Sequence, residues 1–90
     1  MTKIVRTVTI TNRRGLHARA SAKFVTLAST QPVEVAVVKD GSPVTGTSIM
    51  GLMMLGAAMG DHITISAEGD GAQAAVDALA ELVEAKFGED

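Results

Sequence analysis

The sequence predicts an α+β protein: an open-faced β-sandwich of order βαββαβα, a four-stranded antiparallel sheet with three helices on one face. Two observations carry that expectation. Four short segments alternate apolar and polar residues with period two, as strands do when one face meets a core and the other meets water. Between them lie segments whose apolar residues recur at the helical spacing. Ninety residues without repeats or linkers fit a single domain, expected over 1–90.

Residues 4–11 place Ile4, Val8 and Ile10 on one face and Val5, Thr7, Thr9 and Thr11 on the other, a half-buried strand. Asn12-Arg13-Arg14-Gly15 reads as a turn. From Ala18 to Ser29, the spacing of Ser21, Phe24, Val25 and Ala28 predicts an amphipathic helix. Val33, Val35 and Val37 alternate after Pro32 as a second strand. Asp40-Gly41 is a hairpin signal that returns the chain as a third strand over 42–46. Thr47 or Ser48 can cap a brief helix over 49–55, ended by Gly56. Residues 61–67 form a fourth strand with Ile63 and Ile65 inward. Asp70 is then expected to cap the last helix, whose stripe is Ala72, Ala75, Val76, Leu79, Leu82 and Val83.

Composition removes several function classes. The apolar fraction is 47%, Phe24 and Phe87 are the only aromatics, and the absence of cysteine excludes disulfides, a thiolate nucleophile and a cysteine-based zinc site. His62 has no acid, cysteine or second histidine close in sequence except Asp61, so no metal site is expected. No P-loop, GxSxG or paired-carboxylate pattern occurs, and neither an independent enzyme nor a cofactor is expected. The apolar run 49–59 is broken by Gly51 and Gly56 and falls short of the ~20 residues that span a bilayer. No signal peptide is apparent, so a cytoplasmic monomer without membrane contact is the expectation. Charge is divided along the chain. Residues 1–33 carry six basic side chains and no acid, while residues 34–90 carry two basic side chains and ten acids. Without stacking aromatics among the cations, a nucleic-acid partner is not expected; a small anion or an acidic protein surface fits better.

Chemistry concentrates in Asn12–Val25. His17 sits between a glycine turn and a helix start, where free backbone N–H groups and the helix dipole favour an anion. Arg19 adds a guanidinium fork suited to phosphate oxygens. An imidazole there can hold and release a phosphoryl group. An exposed histidine without a role is the alternative that the residues themselves leave open.

Three segments carry a family resemblance. Gly15-Leu16-His17-Ala18-Arg19-Ala20-Ser21-Ala22 resembles the active-site segment of the HPr family, phosphocarriers of the bacterial phosphoenolpyruvate-dependent sugar phosphotransferase system. Ser48-Ile49-Met50-Gly51-Leu52-Met53-Met54-Leu55-Gly56 resembles that family's regulatory-serine segment, and Ile63–Gly69 its last strand and exit. The resemblance implies that His17 takes phosphate on Nδ1 from phosphorylated Enzyme I and hands it to an Enzyme IIA domain. It also implies that Arg19 steadies the phosphoryl group and that the backbone N–H groups of Ala18 and Arg19 bind its oxygens. Ser48 would be phosphorylated by an HPr kinase/phosphorylase. The docking face would comprise Arg13, Arg14, Leu16, Ala20, Lys23, Ile49, Met50 and Met53. Ala20 stands where most of the family has proline, which loosens the preorganisation of the first helical turn. Two alternatives come from other classes. One is a regulatory interaction module of a nitrogen- or stress-type branch, governed by Ser48 with His17 idle. The other is a small ligand-binding domain, for which the sequence offers no inward polar cluster.

Overall fold

The computed structural model describes residues 2–89, so the expected domain 1–90 runs one residue past the described residues at each end. In chain order it forms β1 (Lys3–Thr9), α1 (Ala18–Ala28), β2 (Val35–Lys39), β3 (Ser42–Thr45), α2 (Ile49–Met54), β4 (His62–Glu68) and α3 (Ala72–Glu84). A 3-10 turn over Lys86–Gly88 follows. The sheet is antiparallel throughout, in the order β1-β4-β2-β3.

Period-two alternation decides which face the helices cover. Val8 of β1, Val35 and Val37 of β2, and Ile63, Ile65 and Ala67 of β4 point into one core, with Phe24 of α1, Leu52 of α2 and Ala75, Val76, Leu79 and Val83 of α3. Each large side chain fully removed from water there stabilises the fold by roughly 1.5–3 kcal/mol relative to exposure. The opposite face is polar and open: Thr7 and Thr64 pair through their hydroxyls at 3.1 Å, and Thr9 Oγ1 meets His62 Nδ1 at 2.9 Å. Ser66 is nonetheless buried on that face, because Val5 and Ala36 lie opposite it on the two neighbouring strands.

The expected element order holds, with boundaries shifted by one or two residues. β1 stops at Thr9, although Ile10 keeps a strand-like exchange: its N–H donates to Asp61 O, and Gly60 N–H donates to Ile10 O, each at 2.8 Å. The start of α3 corrects the sequence reading. Asp70 is not its cap; Gly71 occupies that position with φ 89°, and no side chain supplies the cap bond. Ala72 N–H donates to Gly69 O at 3.1 Å, so the backbone closes this turn by itself. Gly71 is required twice over, because a Cβ there would lie in the left-handed region and 2.7 Å from Pro32 Cγ.

The last turn was not foreseen. Phe87, fully buried, adopts φ 55° and plugs the core below α1, while its carbonyl accepts from Lys23 Nζ at 2.8 Å. That reversal carries the chain back towards the start of α1.

Candidate functional site

The histidine-bearing turn is built from the backbone outward. Gly15 N–H donates to Asn12 O at 3.2 Å and closes the turn, and Leu16 N–H donates to Ala57 O at 2.9 Å, fastening it to the loop after α2. Leu16 anchors the turn in the core. His17 is the N-cap of α1 in extended conformation (φ −72°, ψ 179°), and its carbonyl accepts the first helical bond, from Ser21 N–H at 2.9 Å. The N–H groups of Ala18, Arg19 and Ala20 therefore precede the helical ladder and are available to an anion. Ala20 lies in this first turn without needing proline to start the helix.

The His17 side chain does not cap the helix. Its Nε2 meets Glu89 Oε2 at 2.5 Å, and the imidazole is only 15% exposed, less open than the surface histidine the sequence suggested. Glu89 Oε1 in turn accepts from Nδ2 of Asn12, fully buried, at 3.0 Å. The same Asn12 Nδ2 donates to Gly15 O at 2.8 Å, and two oxygens facing it identify it as the amide nitrogen. The Asn12 bond, with help from His17 and the nearby Arg14 charge, holds the Glu89 carboxyl below its ordinary range against the opposing effect of burial. His17 Nδ1 makes no hydrogen bond among the described residues. Among the described residues, Asn12 Oδ1 is the buried side-chain atom left without a partner.

Arg13, Arg14, Arg19 and Lys23 line one open cleft with Gly88 and Glu89 beside the imidazole, so the four cations named from the sequence do converge. Ser48 caps α2, its Oγ accepting from Gly51 N–H at 2.9 Å. Ile49, Met50 and Met53 are exposed, as are Met54 and Met59, which the sequence reading did not single out. Since α2 packs against α1, this apolar surface adjoins the histidine-bearing helix. Two residues expected on the docking face are corrected: Leu16 and Ala20 are buried at 5% and 0% exposure, because the turn and the inner face of α1 pack onto the core. Among the described residues no cluster of metal-ligating side chains forms, and His62 bonds only to Thr9. Glu89 and Asn12 were missed; no spacing connects an acid near residue 90 to a histidine 72 positions earlier.

A sandwich that presents a histidine at a helix start, beside a cleft lined by four cations, fits a protein of the phosphocarrier class. The family model for the PTS HPr component phosphorylation site matches residues 4–85. A phosphocarrier protein NPr from Shewanella violacea is 46% identical over 89 residues, covering 99% of this chain and 98% of its own. A phosphocarrier protein HPr from Cupriavidus necator is 45% identical over 84 residues, covering 93% and 94%. The crystal structure of HPr from Thermoanaerobacter tengcongensis superposes with a TM-score of 0.89 at 44% identity, covering 100% of this chain and 99% of that one. The chain belongs to the HPr family of the phosphotransferase system, and it is a phosphocarrier, not an independent catalyst.

Proposed function

We propose that His17 accepts a phosphoryl group on Nδ1 from phosphorylated Enzyme I and passes it to an Enzyme IIA domain, in the cytoplasm and as a monomer. The observation that carries this reading is His17 at the N-terminus of α1, its Nε2 held by Glu89 and its Nδ1 without a hydrogen bond among the described residues, beside the cleft lined by Arg13, Arg14, Arg19 and Lys23. Free N–H groups of Ala18 and Arg19 and the Arg19 fork suit the transferred oxygens, and the cations steer acidic partners to the point of transfer. Exposed Ile49, Met50 and Met53 supply the adaptable apolar part of the docking face. Ser48 is the regulatory position, open to an HPr kinase/phosphorylase. A dianion at the start of α2 suits the helix itself and repels acidic partners from that face.

The test is intact mass after incubation with phosphoenolpyruvate, Mg²⁺ and Enzyme I, for wild type and His17→Ala, repeated after brief acid treatment. One added phosphate, absent in the variant and lost in acid, is expected; no added phosphate on wild type refutes the reading. The relative named NPr favours a second reading, service in a nitrogen- or stress-type regulatory branch and not in sugar uptake. Comparing transfer to acceptors of the two branches separates them.

A further inference from the structure

The carboxylate on Nε2 has a consequence for the nitrogen at the other side of the ring. We infer that Glu89, held by Asn12, is a positioning residue that keeps the His17 proton on Nε2 and so leaves Nδ1 with the lone pair that attacks phosphorus. The inference rests on the proposed role of His17.

An ionised carboxylate only accepts hydrogen bonds, so an imidazole nitrogen 2.5 Å from Glu89 Oε2 must be the one that carries hydrogen. The depressed Glu89 carboxyl, fixed first by Asn12, supports the ionised form. In a neutral ring the other nitrogen is then unprotonated. During acceptance the Nδ1 pair forms the N–P bond, and the bond between phosphorus and the phosphorylated protein donor breaks, its electrons leaving with the donor. The ring becomes cationic with its hydrogen still on Nε2, where the Glu89 charge stabilises it. When the group moves on, the N–P electrons return to Nδ1 and the ring is neutral again. No proton leaves His17 in the whole cycle.

Asn12 makes the inference sharper, because it dictates which end of a substituted side chain can face the ring. Its Nδ2 needs an oxygen opposite it. In Glu89→Gln, the amide oxygen satisfies Asn12 and the amide NH₂ is turned towards His17 Nε2. That nitrogen must then accept, which drives the proton to Nδ1 and occupies the lone pair. A merely structural contact predicts the reverse ranking, with the near-isosteric glutamine milder than alanine.

The experiment is ¹⁵N NMR of the His17 ring in the unphosphorylated full chain, at a pH where the imidazole is neutral, for wild type, Glu89→Ala and Glu89→Gln. It is paired with the rate of phosphorylation by Enzyme I and phosphoenolpyruvate. Wild type is expected as the Nε2–H form, Glu89→Ala as a mixture, and Glu89→Gln shifted to the Nδ1–H form. Phosphorylation should slow in the order wild type, alanine, glutamine, with glutamine on the order of tenfold or more below wild type. Unchanged tautomers in both variants, or glutamine behaving as wild type, overturn the inference. Failure of the wild type itself to take phosphate would refute the carrier reading of His17, while the tautomer spectra would still decide whether Glu89 orients the ring.

Discussion

The carbonyl oxygen of Ala57 occupies the space where a side chain on Gly15 would begin: a Cβ there would lie 2.3 Å from Ala57 O. The same carbonyl accepts from Leu16 N–H, so one peptide group beyond α2 both excludes a side chain from the histidine turn and fixes the turn's height. Gly15 also has φ 62°, in the left-handed region.

Gly15→Ala should therefore combine a backbone penalty with a steric one against backbone that cannot swing aside. A loss of roughly 1–3 kcal/mol is expected, read as a lower urea midpoint with unchanged slope. Displacement of the Leu16–Ala57 bond should also move the His17 ring and slow phosphorylation. Wild-type rate and stability together would contradict this account.

Removing the partner of Glu89 should move its titration. Its carboxyl is depressed first by the Asn12 bond, so Asn12→Ala should raise the ¹³C-detected midpoint of Glu89 towards that of an ordinary carboxylate. The sign follows from linkage. A carboxylate depressed on folding contributes stability above its unfolded value and loses it as pH falls through the folded one. The tie between Asn12, Glu89 and His17 is thus expected intact at neutral pH and broken in acid below that range. A Glu89 midpoint unchanged by Asn12→Ala would remove Asn12 as the cause.

Ser48→Ala strips α2 of its capping oxygen and leaves Gly51 N–H without its partner. A cost of about 1 kcal/mol is expected. Ser48→Asp restores an acceptor at the same place and adds a favourable charge at the helix start, so it should be at least as stable as Ser48→Ala. The same aspartate should slow acceptance from Enzyme I. Calorimetry and the phosphorylation assay check the two halves separately.

Phe87→Ala should cost roughly 3–5 kcal/mol, as expected for a fully buried phenylalanine. Because Glu89 follows two residues later, the same variant should shift His17 from the Nε2–H form to the tautomer mixture expected of Glu89→Ala, even under conditions where the fold survives. Retention of the Nε2–H form would mean that Glu89 is placed independently of Phe87.

The strands were legible because one buried face imposes period two on Val35 and Val37 and on Ile63 and Ile65, and Asp40-Gly41, with φ 50° and 79°, marks its own turn. The imidazole and the four cations of the neighbouring cleft were legible from a single contiguous segment. What escaped depends on contacts between distant parts of the chain. Asp70 imitates a cap because side-chain chemistry favours it there, but the Gly69–Ala72 backbone bond closes the turn first. Leu16 and Ala20 come to the docking face only through the family resemblance, and a short motif does not show which of its residues turn onto the core. Glu89 and Asn12 meet only after Phe87 has reversed the chain.

The strand order also sets a schedule for making the protein. β2 and β3 pair through a tight hairpin, but β1 pairs with β4 alone, Lys3 opposite Glu68 and Thr9 opposite His62. The first of the four strands is therefore obliged to wait, unpaired, until the last of them has been synthesised. Closing so long a loop is entropically slow, and during the wait β1 offers free backbone groups to any other extended chain. Lys3 and Arg6, cations on that waiting segment, make it a poor template for self-association before its proper neighbour arrives.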